Sequence, residues 1–212
     1  MGDKIVIGVP RGHFSAPWDF FNSLYRAIKY NNEHELSTDF FYVEGSIIEE
    51  NRNKIWEDAK RIDADWLLMV DDDMVFDRNS IYNLYQTAKN NSLDIVCGLF
   101  YTGEGRPAIY KGERYDYYES IPDRLFEVGA CGMAFTLFNK RLWRSPLDFK
   151  REYPLGEDIS FCRRAKEKGF KIWCDPTVKI GHLRLQPIAE NISGKHVSLN
   201  TKKMPIKDQP IP

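Results

Sequence analysis

The stretch Trp66-Leu-Leu-Met-Val-Asp-Asp-Asp73 places an apolar run directly before three consecutive aspartates. A short run that is apolar on both faces is typical of a strand buried within a parallel sheet. Three adjacent carboxylates are unfavourable at such a position, because like charges at close range raise one another's pKa unless a cation compensates. The stretch therefore predicts an α/β fold with an acidic site at the end of one buried strand.

Strands and helices alternate around this stretch. Apolar runs predict further strands at 4–9, 39–44 and 94–100, and helical spacing of apolar residues predicts helices between them, the third at 79–90. Such a β-α-β order favours right-handed crossovers, and hence a parallel sheet with helices on its faces. The predicted apolar face of the first helix consists of Trp18, Phe21, Tyr25 and Ile28.

The second half of the sequence is less regular. A strand is predicted near 106–111, and a helix is predicted to begin after Gly156. Past Leu185 the composition shifts to Pro, Lys, Asn and Ser, which is typical of chain that cannot bury a core. We therefore expect one domain at 1–185 and an extended or partly disordered tail at 186–212.

Composition and charge exclude several classes of protein. With 212 residues, 42% of them hydrophobic, the chain is long enough for one compact core. Its 30 basic and 31 acidic residues nearly cancel and form no basic stripe, so nucleic acid is not an expected partner. Because no run of about 18 apolar residues occurs, we expect no transmembrane segment. The expected location is the cytoplasm, with peripheral contact at the inner membrane face left open to the tail.

The cysteines are widely spaced, lie in apolar stretches and never form a CxxC motif. They are Cys97, Cys131, Cys162 and Cys174. Reduced core residues in a cytosolic protein are the preferred interpretation, with a disulfide framework or a zinc site as the alternative.

Asp71 and Asp73 are the predicted metal ligands. In an extended segment they point to one side and Asp72 to the other, so the pair suits one divalent ion and its phosphate oxygens. His182 is predicted to complete an Asp/Asp/His set, and oxygen ligands with one imidazole favour Mn²⁺ or Mg²⁺. The alternatives are a solvated turn whose aspartate caps the next helix, and a structural histidine.

Two further acidic residues, Glu157 and Asp158, follow Gly156 at the start of a predicted helix. Acidic side chains stabilise the positive end of a helix dipole, which is the structural interpretation. Glycine allows a ligand to approach closely, so the pair is also a candidate general base for an acceptor hydroxyl. One carboxylate can serve both roles.

Arg52 lies on the apolar face of the second predicted helix, where a solvated charge is not expected. Beside the ends of the first two strands, Arg52 and Asn53 can reach a nucleotide in the crevice at the carboxyl edge of the sheet. Arg11, just after the first strand, points to the same edge. An ion pair between Arg52 and Glu44 is the structural alternative.

With these residues placed, the chain resembles the GT-A nucleotide-sugar glycosyltransferases, above all those of family 2. The resemblance spans roughly 4–183, and the order and spacing of its motifs are more specific than any one of them. The motifs are Ile7-Gly-Val-Pro-Arg11, Glu44-Gly-Ser46, Asn51-Arg-Asn53, Leu67-Leu-Met-Val-Asp-Asp-Asp73, Gly129-Ala-Cys-Gly-Met-Ala-Phe135, Gly156-Glu-Asp158, Phe161-Cys-Arg-Arg-Ala165, Gly169-Phe-Lys-Ile-Trp173 and Gly181-His182.

The resemblance implies a single-domain GT-A fold, with a Rossmann-like nucleotide-binding half and a mixed, mainly parallel sheet flanked by helices. It implies a metal on the donor diphosphate at Asp71 and Asp73, joined by His182, and a general base at Asp158 beside Glu157. The donor site is expected at Pro10, Arg11, Glu44, Arg52, Asn53, Asp71 and Asp72.

The implied activity is transfer of a sugar from a nucleotide diphosphate-sugar, with UDP or GDP as the nucleotide. The enzyme is expected to be a hexosyltransferase that inverts the anomeric centre, and the acceptor is a glycan, lipid or protein hydroxyl. Pro10-Arg-Gly12 departs from the Thr or Asn that many relatives carry after the first strand.

Three other functions compete with this interpretation. A dinucleotide dehydrogenase needs a GxGxxG turn, which Gly8-Val-Pro-Arg-Gly12 does not supply. A metal-dependent nucleotidyl or phosphoryl transferase also uses clustered carboxylates, and a non-catalytic nucleotide-sugar-binding descendant is the third. Aromatic residues that could stack on sugar rings favour a glycan acceptor, and packing in the core or in loops is the structural alternative. They are Tyr115, Tyr117, Tyr118 and Trp143.

Overall fold

The computed structural model describes residues 2–11 and 17–183. The predicted tail at 186–212 lies outside the described residues. Within them the helices are α1 (Trp18–Glu33), α2 (Ile48–Arg61), α3 (Ser80–Asn90) and α4 (Glu157–Glu167), with a short 3-10 helix at Lys140–Arg144. The strands are β1 (Lys4–Arg11), β2 (Ser37–Glu44), β3 (Trp66–Val70), β4 (Met74–Val75), β5 (Ile95–Leu99), β6 (Ile109–Lys111), β7 (Asp116–Tyr117), β8 (Phe126–Val128), β9 (Ala130–Cys131), β10 (Phe135–Asn139), β11 (Ile172–Lys179) and β12 (Gly181–His182).

Seven strands form one sheet in the order β2-β1-β3-β10-β5-β11-β8. The pairs β2-β1, β1-β3 and β5-β11 are parallel, whereas β10 and β8 run antiparallel to their neighbours. The mixed, mainly parallel sheet flanked by helices is thus confirmed. The purely parallel order inferred from the first half is corrected by β10, which lies between β3 and β5 and is paired with both over long sequence separations.

The core consists of two layers, one on each face of the sheet. One face is covered by α2 and α4, whose buried residues include Trp56 and Phe161. The other is covered by α1 and α3, which contribute Phe20 and Leu84. Burial of each such side chain stabilises the fold by about 1.5–3 kcal/mol. The result is a three-layer α/β/α arrangement.

The predicted apolar face of α1 was wrong for three of its four residues, whereas Ile28 packs against the core. Trp18 and Tyr25 are 79% and 69% exposed, and Phe21 is also exposed. The face that packs on the sheet instead contains Phe20, Leu24 and Ala27. Both sets have helical spacing, so the sequence offered two stripes, and contact with the sheet selects the one made of more compact side chains.

Close helix packing on β1 positions α2 for the site. A side chain at Gly8 would place its Cβ 2.1 Å from Cγ2 of Ile55, so only glycine allows α2 to lie this near the strand. Further along the chain, β1 and β2 end side by side with Arg11 opposite Glu44. β3 ends at Val70 on the same edge of the sheet, which brings the acidic stretch into the neighbourhood of both strand ends.

All four cysteines are buried free thiols in the structure, as predicted for core residues. Over 2–11 and 17–183 no helix has the length and apolar character needed to cross a bilayer.

Candidate active site

The three aspartates after β3 form a tight turn rather than the expected extended segment. The amide of Met74 donates to the carbonyl of Asp71 at 3.3 Å, and the amide of Asp71 donates to the carbonyl of Ala134 at 3.1 Å. Alternation of side chains along an extended strand therefore does not apply here. We call Asp71, Asp72 and Asp73 the acidic turn, and its three carboxylates enter three different surroundings.

Asp72 is the buried member of the acidic turn, with 4% of its surface exposed. Its charge acts on the hydroxyl of Tyr42 in β2, which shows that Asp72 lies on the side of the β1 and β2 ends. Burial is the main cause that raises the pKa of Tyr42 to about 12, the charge of Asp72 adds to it, and Arg11 opposes it. The predicted donor residues Pro10 and Arg11 are buried and half-buried at this edge.

Asp73 contacts His182, as the predicted ligand set requires. Nε2 of the ring lies 3.0 Å from Oδ2 of Asp73, and Nδ1 lies 3.0 Å from the carbonyl oxygen of Tyr101. Pairing of β12 with β4 brings the histidine back to the acidic turn, and the amide of Leu183 donates to the carbonyl of Asp73 at 2.8 Å. The other oxygen of the Asp73 carboxylate, Oδ1, is buried without a hydrogen-bond partner.

These two side chains fit a divalent ion that is completed by substrate. In the part of the chain that the structure describes, no three His, Cys, Asp or Glu side chains converge into a metal-binding group. Mg²⁺-type sites on nucleotides use one or two protein carboxylates and take their remaining ligands from phosphates and water. Adjacent ligands of an octahedral ion with bonds of about 2.1 Å are about 3 Å apart, which matches the separation of His182 Nε2 from Asp73 Oδ2.

Asp71 contacts Arg52. Nη2 of the guanidinium lies 3.0 Å from Oδ1 and 3.2 Å from Oδ2 of the Asp71 carboxylate, and Nη1 contacts Oε1 of Glu157. Arg52 is 4% exposed, so it lies below the surface rather than in the crevice. The alternative ion pair with Glu44 is absent from the contacts that the structure gives for Arg52, and Glu44 is exposed at the end of β2.

The two asparagines beside Arg52 bind backbone groups. The amide of Asn51 donates to the carbonyls of Gly45 at 3.0 Å and of Arg11 at 3.3 Å, and so joins the turns after β1 and β2. Asn53 donates to the carbonyl of Phe149 at 2.8 Å and accepts from its amide at 2.6 Å. Asn51 was not predicted as a site residue, although its position directly before Arg52 on the second predicted helix could have indicated a buried amide.

Asp158 lies in the first turn of α4, as the helix prediction required. Its Oδ1 accepts a hydrogen bond from the amide of Ile159 at 2.7 Å. Burial and then the charge of Glu157 raise the pKa of the Asp158 carboxyl to about 6, against the lowering effects of the Ile159 amide and Arg52. A carboxylate of this pKa is ionised at neutral pH and is a stronger base than an ordinary aspartate.

Most of the aromatic residues considered for a glycan acceptor pack inside the protein. Trp143 donates from Nε1 to the carbonyl of Ala64 at 3.0 Å, and Tyr118 packs edge-on against Phe126. Tyr115 also packs against the core. Tyr117, at 41% exposed, is the member of the set that faces solvent.

The structure brings the predicted catalytic and metal-binding residues together around Arg52 and the acidic turn. Arg52 contacts Asp71 and Glu157, and His182 contacts Asp73. Asp158 follows Glu157 in the first turn of α4, whereas Asn53 faces the backbone of Phe149. Arg52 connects the two halves of this group, because one guanidinium contacts both the turn after β3 and the first residue of α4.

Comparisons with known proteins identify the family and the fold. The sequence profile described as Glycosyl transferase family 2 matches residues 48–164, more than half of the chain. The crystal structure of A197 from STIV is similar in fold, with a TM-score of 0.61 and 19% sequence identity over 97% of this chain and 98% of that chain. No curated protein matches the sequence.

Proposed function

The chain belongs to glycosyl transferase family 2, and on that premise we propose that it transfers a hexose from a UDP- or GDP-sugar to an acceptor hydroxyl with inversion. One observation supports the location of the reaction most directly. Arg52 contacts both Asp71 and Glu157, so the acidic turn and the start of α4 border the same site. A donor diphosphate near the turn would therefore lie close to Asp158.

Asp158 is the proposed general base. The acceptor oxygen attacks the anomeric carbon, its proton passes to the Asp158 carboxylate, and the bond from the anomeric carbon to the diphosphate oxygen breaks. The nucleotide diphosphate leaves with the bonding electrons. The raised pKa of Asp158, about 6, supports this role, since it keeps the group deprotonated at neutral pH while increasing its basicity.

The proposed donor site lies at the ends of β1, β2 and β3. Pro10, Arg11 and Glu44 end two parallel strands, and Asp72 is buried beside them. The carboxyl edge of a parallel sheet is where open α/β folds bind nucleotides. Arg11 supplies a positive charge at this edge that suits a diphosphate.

Asp73 and His182 are the proposed ligands of a Mn²⁺ or Mg²⁺ ion on the donor. Such an ion would act as a Lewis acid that stabilises the departing diphosphate. The orphan Oδ1 of Asp73 and the hydrogen bond from His182 Nδ1 to Tyr101 support this assignment, because a metal-binding histidine commonly donates its other N–H to a carbonyl. The prediction that Asp71 also binds the ion stays a prediction, and Arg52 competes for that carboxylate.

The buried thiols support the cytoplasm as the proposed location, because free cysteines persist in reducing compartments. The acceptor class is left to experiment.

Release of nucleotide diphosphate from a panel of UDP- and GDP-sugars, with Mn²⁺ and a mixture of glycan and lipid acceptors, tests the proposal. We expect release from one nucleotide series, and its loss in Asp158→Asn. Asp123→Asn is the matched control, because Asp123 is an exposed loop residue outside the site. Equal release by wild type and Asp158→Asn would contradict the role of the base.

A further inference from the structure

Arg52 is a charged residue in an apolar environment. It lies on the face of α2 that also contains the fully buried Ile55 and Trp56, and 4% of its surface is exposed. A charge removed from water to this extent is strongly unfavourable unless other charges compensate it. The sequence explains the position on the helix, and the contacts explain why the charge is tolerated there.

Both terminal nitrogens of the guanidinium are used by carboxylates. Nη2 contacts both oxygens of Asp71 at 3.0 and 3.2 Å, and Nη1 contacts Oε1 of Glu157. The third nitrogen, Nε, is buried without a hydrogen-bond partner in the described part of the chain. Each terminal nitrogen therefore already contacts a carboxylate, which favours a role in holding these two side chains over the donor-binding role expected from the sequence.

The two carboxylates belong to elements that are distant in sequence. Asp71 follows β3, and Glu157 is the first residue of α4, 105 residues after Arg52. A planar guanidinium can bind two carboxylates in fixed directions, whereas the ammonium of lysine is a compact point charge. Arg52 thus fixes the distance between the acidic turn and the start of α4.

Holding Glu157 also holds its neighbour. The side chain of Glu157 is 12% exposed and its other ion pair, with Arg151, is longer at 3.9 Å. Asp158 is the next residue in the same helical turn, and its Oδ1 is held by the Ile159 amide at 2.7 Å. A shift of Glu157 would therefore move the backbone that carries Asp158.

From this geometry we infer that Arg52 is a positioning residue, which places Asp158 by holding Glu157 against Asp71. The inference rests on the proposed function for its catalytic meaning, since it assigns to Arg52 the arrangement of the base. Arg52 touches neither donor nor acceptor in this account. Glu157, which was predicted to be catalytic together with Asp158, transmits the effect of Arg52 to the position of Asp158.

The charges around Asp158 supply a direct readout. The positive charge of Arg52 lowers the pKa of Asp158, and the negative charge of Glu157 raises it. The ionisable groups that act on Asp158, or on which its charge acts, come from four elements. They are Arg52 of α2, Glu157 and Cys162 of α4, Cys131 of β9 and Tyr110 of β6.

The experiment is a pH titration of the full chain labelled with ¹³C at the aspartate carboxyls, with the Asp158 signal identified by its loss in Asp158→Asn. In Arg52→Met we expect the pKa of Asp158 to rise, and in Glu157→Gln we expect it to fall. Arg61→Met is the matched control, because Arg61 lies on the same helix, pairs with Asp58 and is exposed. Its removal should leave the titration of Asp158 unchanged.

Two further variants keep the inference testable if Arg52→Met does not fold. Arg52→Met leaves two carboxylates without their cation, so Arg52→Lys, which keeps the charge, and Arg52→Met combined with Glu157→Gln are titrated as well. Because Arg52→Lys keeps the positive charge, we expect it to keep the lowering of the Asp158 pKa. We expect kcat to fall about tenfold, because the base is no longer aligned with the acceptor hydroxyl. The donor KM should change much less.

The outcomes separate this inference from the proposed function. A protein that releases no nucleotide from any donor would contradict the proposed function. The titration needs no substrate, so the pKa of Asp158 in the variants would still show whether Arg52 acts on Asp158. An unchanged pKa of Asp158 in folded Arg52→Met, or a raised donor KM with normal kcat in Arg52→Lys, would overturn the positioning role and favour direct donor binding.

Discussion

Nε2 of His182 lies 3.0 Å from Oδ2 of Asp73, although the two residues are 109 positions apart in sequence. Nδ1 of the same ring lies 3.0 Å from the carbonyl oxygen of Tyr101, which can only accept, so Nδ1 carries a proton. In a neutral ring Nε2 would then direct its lone pair at a carboxylate. Such a contact is favourable only with a proton or a metal ion between the two atoms.

The first prediction concerns this contact. Asp73→Ala and His182→Ala should each weaken Mn²⁺ binding in the presence of UDP or GDP by at least about 10-fold, since each removes one proposed ligand and even the loss of a residue that only orients a ligand costs that much. Electron paramagnetic resonance of free Mn²⁺ during the titration measures the affinity. Asp123→Asn serves as the control at an exposed aspartate. Wild-type affinity for Mn²⁺ in both alanine variants would show that the ion does not bind at Asp73 and His182.

The second prediction is the pH dependence of turnover. Because the base must be deprotonated and the pKa of Asp158 is raised to about 6, kcat/KM should rise with pH through about 6 and level off above it. The slope on the acid side is measured with a fixed donor between pH 4.5 and 8. A profile that is already level at pH 4.5, as the ordinary aspartate pKa of 3.8 would give, would indicate a different, exposed base.

The third prediction concerns stability. The folded pKa of Asp158, about 6, exceeds the ordinary aspartate value of 3.8, so between these values the folded state holds a proton that the unfolded state has lost. The free energy of unfolding therefore falls as pH rises through this window, and the ionised carboxylate destabilises the fold above it. Asp158→Asn should stabilise the protein at pH 7.5, by at most about 3 kcal/mol.

Urea unfolding at pH 7.5 and at pH 5 measures this effect. The gain from Asp158→Asn should be larger at pH 7.5, and Asp123→Asn should show no such difference. A gain that is equal at both pH values would mean that the charge of Asp158 is not the cause.

The fourth prediction separates two roles of Asn53. Its amide makes two hydrogen bonds to the backbone of Phe149, so Asn53→Ala should lower the free energy of unfolding by about 2–3 kcal/mol. Nucleotide affinity of the folded protein should stay within about twofold, since two hydrogen bonds hold the Asn53 side chain on the backbone of Phe149. Lys54→Ala, at the exposed neighbour, is the control. Weakened nucleotide binding with unchanged stability would restore the donor-site role.

Much of the fold was predictable because buried parallel strands have a local signature. The apolar runs of β1, β3 and β5 and the helix after Gly156 needed only local periodicity and end signals. The strand β10 was missed because its place between β3 and β5 depends on pairing with residues far away in sequence. The apolar face predicted for α1 was largely wrong because two sets of apolar residues on this helix have helical spacing, and only packing on the sheet distinguishes them.

The site was predictable in its residues more than in its contacts. Clustered aspartates indicated a compensating cation, and the structure supplies one from the protein itself, Arg52 for Asp71, while His182 lies beside Asp73. A buried arginine on an apolar face also indicated a partner. Its partners could not be chosen from sequence, because Glu44 is nearby along the chain whereas Glu157 is brought close only by the fold.

Calorimetric titration of UDP, GDP and their sugar conjugates into the purified full chain tests the central claim most directly. The titration is made with Mn²⁺, repeated with EDTA, and repeated with Asp73→Ala. We predict that one nucleotide series binds with Mn²⁺, that EDTA abolishes this binding, and that the substitution weakens it by at least about 10-fold. Absence of binding by every nucleotide with Mn²⁺ present, or equal binding with EDTA, would contradict a metal-dependent nucleotide-sugar transferase.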